Sequence, residues 1–521
     1  MHALISWAVL ALAPATTPAA PLSPTSPTTT PTVSTTPTVS TTPTVSTTPT
    51  VSTTPTVSTT PVSAPTPASP EPVPAPAPAP APAPVSPAPA PAPSPGIGMT
   101  ASAATAPVTP VAAPAPTPSR FVPKNEPARM AEGEVDGGKA KWKPGTGLSV
   151  ETKDKRFSLV FQSMVQLQMN ARHTPGIPAM GEADAIAAKN DFDLVFRRAR
   201  VWFSGNLFTP NIKYRITLTF SPIELGYKNG TITRSPILDW FFTFDRVRDA
   251  TFVVGQYKVP YNHQRMAKIA ELQFVDRSGA NNEFTMDRDI GFDVRSKDLA
   301  GLGKLRYYAG IYLGDGIALY GPSDFGLAYL ARVEVLPFGQ YDDLTESDLD
   351  RTLKPRMLLG AAYSYIDRDP HDTHGFAGAI PLDGGKTTTH NATADLSFKY
   401  GGFAFEGGFF FRQGKRIPGM NVDMTGMPIP IVAPRNGLAY FLQGGYLLPR
   451  IPVELGARWG QIKARGDTNQ TSLINQNELG GLINYFFARH ALKLQLDYFH
   501  YWNKEIRYGT DQVRLQLGVT F

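Results

Sequence analysis

Val513-Arg514-Leu515-Gln516-Leu517-Gly518-Val519-Thr520-Phe521 closes the 521-residue chain. Apolar side chains stand at every second position. In an extended strand they share one face, and Arg514, Gln516, Gly518 and Thr520 share the other. A strand of a soluble sandwich alternates too. A strand that ends a polypeptide on its apolar face with phenylalanine is what outer-membrane barrels present to their assembly machinery, so Phe521 is expected to be an assembly signal.

The same alternation recurs upstream, in Val165-Gln166-Leu167-Gln168-Met169, in 212–220 and in Leu492-Lys493-Leu494-Gln495-Leu496-Asp497-Tyr498. Marking strands by this period gives 157–169, 192–207, 211–220, 237–245, 250–258, 287–295, 303–313 and 326–337. It continues with 355–366, 388–400, 401–412, 437–448, 451–463, 473–487, 490–502 and 511–521, sixteen in all. From the second connection on, alternate ones are short, at Phe208–Pro210, Arg246–Asp249, Gly401-Gly402, Pro449-Arg450 and Ala488-Arg489. Those between them are long, at 170–191, 221–236, 259–286, 367–387 and 413–436. Short periplasmic turns alternating with long outer loops is the organisation of a transmembrane antiparallel β-barrel, apolar outside and polar inside. One connection breaks the parity: 338–354 should be short and is long.

The first 130 residues are a different material. They hold 33 of the 51 prolines, and of the 54 aromatics only Trp7 falls before residue 120. Residues 3–13 form an apolar core of signal-peptide length, with small residues suited to cleavage at Ala13-Pro14-Ala15 and Pro18-Ala19-Ala20, so 1–20 is expected to be a signal peptide. From Thr30 the hexapeptide Thr-Pro-Thr-Val-Ser-Thr runs five times, and Pro-Ala alternation follows to Pro93. Such a segment buries too little apolar surface to offset its ordering entropy and favours polyproline II. Residues 21–123 therefore read as a disordered spacer, 124–144 as a charged, solvated linker, and 145–521 as the barrel. The absence of cysteine excludes a disulfide scaffold and a cysteine nucleophile. Beyond the N-terminus no apolar run reaches the roughly 18 residues of a spanning helix.

Phe196-Arg197-Arg198-Ala199-Arg200 followed by Gly205 resembles the phosphate-selective porin O and P family. So do Val254-Gly255-Gln256-Tyr257-Lys258-Val259-Pro260, and Asp276-Arg277-Ser278 before Asp287-Arg288-Asp289-Ile290-Gly291. The resemblance covers about 145–521. It implies a sixteen-stranded, trimeric channel for small anions in the outer membrane of a Gram-negative bacterium, narrowed by an inward-folded loop. It also implies that Arg197 and Arg198 contact the ion.

The residues bear on that expectation directly. Guanidinium matches phosphate with two parallel hydrogen bonds, and rings of Arg or Lys replace part of an anion's hydration. Alternation puts Arg198, Arg200, Ser204 and Asn206 on the lumen face of the second strand, joined by Lys213 and Arg215 of the third. Arg197 then points outward, where a charge costs roughly 2–4 kcal/mol at mid-membrane. It must sit near a rim, in a subunit interface or beside a bulge. Loop 259–286 is the expected constriction, carrying Arg265, Lys268 and Arg277 beside Lys258, against Glu271, Asp276 and Glu283. Elsewhere Arg306, Arg332, Lys399, Arg412 and Arg458 face Asp239, Asp293, Glu334, Asp395, Glu406 and Glu454. With 43 basic and 38 acidic residues over 145–521, the excess is small.

No cofactor is expected. His371-Asp372-Thr373-His374 lies in an outer loop, and neither a Gly-x-Ser-x-Gly elbow nor a His-Glu-x-x-His helix occurs, so an enzyme is not expected. Basic residues are interleaved with acids, so no nucleic-acid patch forms. The partners expected are small phosphate-like anions, outer-membrane lipid, the barrel-assembly machinery, a second and third copy of the chain and, through a periplasmic proline-rich arm, peptidoglycan. The alternative is a structural anchor whose arm tethers the barrel to the cell wall.

Overall fold

The computed structural model describes residues 131–135, 138–176, 187–228, 230–317, 326–373, 378–467, 469–503 and 509–521. The expected signal peptide and spacer lie outside the described residues. Three short strands come first: β1 (Ala131–Val135), β2 (Gly138–Lys143) and β3 (Gly147–Thr152). The wall of the barrel begins with β4 (Ser158–Thr174), β5 (Lys189–Leu207), β6 (Thr209–Thr219), β7 (Ile237–Val247) and β8 (Ala250–Lys258). It continues through β9 (Arg288–Ser296), β10 (Leu305–Tyr312), β11 (Ala328–Val335), β12 (Arg356–Asp369), β13 (Lys386–Tyr400) and β14 (Phe403–Ile417). The last five are β15 (Gly437–Leu447), β16 (Val453–Ala464), β17 (Gln476–Ala488), β18 (Leu492–Trp502) and β19 (Thr510–Thr520).

From β4 to β19 each strand pairs antiparallel with its neighbours in the chain. The ring closes where β19 meets β4, from Asp511 opposite His173 to Thr520 opposite Met164. Among the described residues this is a closed sixteen-strand antiparallel barrel, and all sixteen strands expected from alternation are present. The largest differences are at the upper ends of β4 and β14, which run on to Thr174 and Ile417. There the ladder continues past the lipid-facing belt, so the hydrophobic period fades while the hydrogen bonds do not.

Closure satisfies the backbone groups that a hydrocarbon environment would leave unpaired. The two faces then sort as a membrane barrel requires. On β18 and β19, Lys493, Gln495, Asp497, Arg514 and Gln516 are buried inside, while Leu496, Tyr498, Val513 and Leu517 are exposed outside. A soluble barrel would place these sets the other way round. Two glycines permit close strand approach. A Cβ on Gly205 would stand 1.9 Å from the Ser158 carbonyl oxygen, and one on Gly255 (φ 130°) would stand 2.2 Å from that of Trp240.

Strands β2 and β3 form a hairpin at the short-turn end of the barrel. β3 takes the edge of β4 at Ser158–Phe161, just below the stretch that β19 occupies. Gly145 N–H donates to Thr520 O at 3.2 Å, and Phe521 N–H to Ser163 O at 2.8 Å, so the hairpin abuts the C-terminal strand. The expected linker 124–144 thus contains strand at Ala131–Val135 and again from Gly138, although Lys139, Lys141 and Lys143 are exposed as a solvated segment would have them.

The parity exception has a structural reason. The connection between β11 and β12 does not turn back at the rim but enters the barrel. It touches inward-facing Arg306 of β10, Lys399 of β13, Gln443 of β15 and Glu454 of β16.

Candidate functional site

The loop between β8 and β9, residues 259–287, also lies inside the barrel. It contains helix α1 (His263–Met266), a 3-10 turn (Ile269–Glu271) and helix α2 (Gly279–Phe284). The Asn262 side chain accepts from Arg265 N–H at 2.8 Å and Ser278 Oγ from Asn281 N–H at 3.1 Å, capping the two helices. Three apolar contacts seat the loop. Tyr261 and Phe284 join a cluster with Phe410 and Phe441. Ala267, Ile269 and Leu272 pack on Met164 and Trp202, and Phe274 packs on Leu482 and Phe499. These wall aromatics are inward-facing members of apolar runs such as Phe409-Phe410-Phe411, where strict alternation would place a polar residue.

Polar contacts carry the loop across to the far wall. Val275 N–H donates to Asp497 Oδ2 at 3.0 Å, Gln273 Nε2 to Glu454 Oε1 at 2.9 Å, and Arg412 to Glu283 Oε1 at 3.1 Å. His263 Nδ1 lies 2.7 Å from Glu406 Oε1. The loop is therefore a bridge over the lumen, as expected of a constriction.

At its centre stands Asp276. Arg198 bonds Asp276 Oδ1 and reaches Gln166 Oε1 at 3.0 Å. Arg197 approaches Oδ2 at 3.4 Å, and Arg514 at 3.8 Å while also gripping Asp497 through two bonds of 2.7 and 2.8 Å. Burial opposes ionisation of Asp276, but the guanidinium groups of Arg197, Arg198 and Arg514 outweigh it and hold the carboxyl far below the usual carboxylate range.

Alternation alone would turn Arg197 outward. The β4–β5 register shifts by one residue here, Gln166 opposing Arg198 and Leu167 opposing Phe196. Arg197 is the extra residue of a bulge, which lets two consecutive arginines face the lumen. Phe192, Leu194 and Phe196 remain exposed on the outer face. Of the three places that would spare a lipid-facing charge, the bulge is the one used.

The remaining site residues divide into groups. Arg200 is buried and pairs bidentately with Glu224, Nε to Oε2 at 2.9 Å, and Thr219 Oγ1 donates to that same oxygen at 2.6 Å. Arg265 pairs with Asp287, Nε to Oδ1 at 3.0 Å. Lys258 and Arg277 converge on the same carbonyls instead. Lys258 Nζ donates to Arg265 O at 3.0 Å, while Arg277 donates to Gln264 O and Ala267 O, both at 2.8 Å. Neither forms an ion pair with a carboxylate among the described residues. Arg215 lies over the Trp202 ring at 6.0 Å. Lys213, half-exposed, pairs with Asp245 near the short-turn end, and Lys268 lies between Glu271 and Asp342 at 3.4 and 3.5 Å. These last two stand apart from the Asp276 cluster.

Above the bridge, on the long-loop side, is a cavity of about 500 Å³. Arg172, Arg197, Arg277 and Arg514 line it against Asp193, Asp276 and Glu478. Four cations face three carboxylates. The other wall candidates are neutralised locally: Arg332 holds Asp395 Oδ1 at 2.7 Å and Glu334 Oε1 at 2.9 Å, and Arg288 holds Asp239 at 2.7 Å. Arg458 stacks at 4.1 Å on Phe274 and donates to Gln443. His371 lies 3.4 Å from Asp369, and His374 is outside the described residues.

Sequence reasoning missed Asp276 as a hub, Arg514 as its third partner, and Glu224 and Asp287 as the carboxylates that occupy Arg200 and Arg265. The Asp276-Arg277-Ser278 triplet signalled the place. Which cations meet there depends on strands far apart in the chain.

Comparison with known proteins matches residues 180–337 to the family model of the phosphate-selective porin O and P. A search of curated proteins found no match. Among solved structures, the outer membrane channel DcaP of Acinetobacter baumannii is similar at TM-score 0.45 and 12% identity, with 71% of this chain and 99% of that chain covered. The anion-selective porin from Comamonas acidovorans gives TM-score 0.42 and 11% identity, covering 70% and 100%. Salmonella typhi OmpF in complex with daunomycin gives 0.45 and 13%, covering 71% and 100%. The chain is a Gram-negative outer-membrane β-barrel, similar over residues 180–337, which include the bulged strand and the bridging loop, to the phosphate-selective porin O and P family.

Proposed function

We propose that this porin-type barrel is a passive channel that prefers small anions such as phosphate, with Arg197, Arg198, Arg200, Lys213, Arg215, Lys258, Arg265, Lys268 and Arg277 as its selectivity set. One observation carries the reading. Among the described residues Arg277 lines the outer vestibule without a carboxylate ion pair, beside Lys258 in the same condition and next in the chain to the Asp276 that holds Arg197 and Arg198. An entering phosphate would find one guanidinium, that of Arg277, and beside it the Lys258 ammonium, whose present partners are neutral carbonyls, a weaker hold than a carboxylate. Arg200 and Arg265 are already paired, so their part is to support the cluster and its field. The channel works by lowering the cost of anion dehydration and consumes no energy source.

The reading extends to a homotrimer with the N-terminal arm on the periplasmic side. The β2–β3 hairpin supports the arm's placement, since it docks at the short-turn end of β4.

The test is single-channel recording in a planar bilayer under a salt gradient, repeated with millimolar phosphate. Anion-directed reversal with phosphate block, both weakened in Arg198→Ala, is the expected result. Cation-directed reversal by folded protein refutes the anion preference, and absence of conductance refutes the channel.

A further inference from the structure

Residues 341–350 read Tyr-Asp-Asp-Leu-Thr-Glu-Ser-Asp-Leu-Asp, with carboxylates at 342, 343, 346, 348 and 350 and no base. They lie in the β11–β12 connection that enters the barrel from the short-turn side. Two main-chain bonds fix them beneath the bridging loop, Lys268 N–H to Leu344 O at 2.9 Å and Glu346 N–H to Glu271 O at 3.1 Å. Glu346 Oε2 accepts from Gln273 N–H at 2.7 Å and from Gln443 Nε2 at 3.1 Å.

Five basic side chains lie against this segment, with Glu454 meeting it only through Ser347 Oγ at 2.9 Å. Asp343 pairs with Arg306 at 3.1 Å, Asp342 with Lys268 at 3.5 Å and Asp350 with Arg489 at 2.6 Å. Lys399 Nζ is held by the Thr345 and Asp342 carbonyls, and His263 Nε2 lies 2.7 Å from Asp343 O. Arg306, Lys268, Lys399 and His263 in the periplasmic half of the lumen, and Arg489 of the exposed β17–β18 turn at its rim, are thus occupied by one stretch of ten residues. Two of its carboxylates, Asp342 and Asp350, keep side-chain exposures of 64% and 73%.

We propose that segment 342–350 is a tethered internal anion: it occupies the cations of the periplasmic half of the lumen, lowers anion passage there and sets the selectivity of the channel. This rests on the channel reading above. Tethering gives the segment an effective concentration in the millimolar range or higher, so it competes with any free anion of comparable affinity. It also makes the lumen electrically asymmetric, with an excess of cations in the outer vestibule and exposed carboxylates at the periplasmic exit. Such a pore passes anions more easily in one direction than in the other.

The test compares wild type with Asp342→Asn/Asp343→Asn/Asp350→Asn in planar bilayers, reading reversal potential under a potassium chloride gradient and current rectification. The triple variant is expected to raise the anion-to-cation permeability ratio about two- to fourfold at 0.1 M salt and to reduce rectification, with the difference shrinking at 1 M salt as the Debye length falls to about 3 Å. Asp342→Asn/Asp350→Asn changes only exposed groups, so it keeps the fold and is expected to shift the ratio in the same direction by less. Should wild type conduct with anion-directed reversal while both variants match it, this proposal falls and the channel reading stands. If folded wild type and variants are all silent, both fall. A silent wild type with conducting variants overturns both, since the segment would then plug the pore rather than set the selectivity of an open one.

Discussion

Replacing Asp276 with asparagine should make the channel more anion-selective, and the size of the change follows from the vestibule. Asp276 is the only carboxylate to which both Arg197 and Arg198 are bonded among the described residues. Its side chain is nearly isosteric with asparagine, whose carbonyl oxygen can still accept one of their hydrogen bonds. What disappears is one negative charge. The cavity lining then goes from four cations against three carboxylates to four against two. For an anion passing about 5 Å from the changed group, in a water-like dielectric, one unit charge is worth about 0.8 kcal/mol. Screening at 0.1 M salt, where the Debye length is about 10 Å, reduces this to about 0.5 kcal/mol. That is about a twofold gain for the anion and a like loss for the cation, so the anion-to-cation permeability ratio should rise about two- to fivefold. Reversal potential in a planar bilayer under a tenfold gradient measures it, and phosphate block should strengthen in parallel because two guanidinium groups lose their competing ligand. A ratio unchanged or lowered in folded Asp276→Asn would show that the cluster does not face the permeating ion, and the site would have to be moved.

Three further outcomes follow from the geometry. Gly255→Ala places a methyl where only 2.2 Å separates it from the Trp240 carbonyl, at φ 130°; a loss of about 1–3 kcal/mol is expected in denaturant titration of the detergent-folded barrel, and an unchanged midpoint would contradict the β7–β8 packing. His263 is charged in the folded loop because, although burial opposes it, Glu406 with Asp343 and Asp395 raises its pKa to about 9. Since this lies above the ordinary 6.5, the stabilisation is full below about pH 6.5 and is lost as pH rises through about 9. Open-channel current noise should grow across that upper range in wild type and not in His263→Gln, and equal noise in both would remove His263 as an anchor. Deleting Phe521, whose side chain is half-exposed beyond the last strand, should reduce assembled barrel in outer-membrane fractions while leaving in-vitro folded stability close to wild type. A large loss of stability would make it a packing residue instead.

Alternation made the wall legible because side-chain direction in a strand repeats every two residues, and the long and short connections supplied the rest. Reading failed where the period itself was broken. The bulge at Arg197 is one residue out of register, and nothing in Phe196-Arg197-Arg198 says which residue is extra until the partner strand is in place. What the inward aromatics Phe410, Phe441 and Phe499 pack against was not legible, because the loop that covers them lies more than a hundred residues away in the chain. The 338–354 connection was visible as an exception, but its inward course depends on contacts with β10, β13, β15 and β16.

The sequence by itself determined an antiparallel barrel of sixteen strands, its loop parity and the stretch that holds the basic residues, since each of these is a local pattern of period, length or composition. Alternation taken alone left open which face meets lipid, because an alternating strand reads the same in either orientation, and it was the loop parity that favoured the apolar face outside. Tertiary structure decided that by burying Lys493, Asp497 and Arg514 inside and leaving Leu496, Tyr498 and Leu517 outside. It also decided which charges remain available to a solute. Among the described residues Arg200, Arg265 and Arg332 are spent on carboxylates, whereas Arg277 and Lys258 meet carbonyls and no carboxylate. A charge count cannot separate these cases, because Coulomb energy depends on the distance between groups that the fold brings together from different strands.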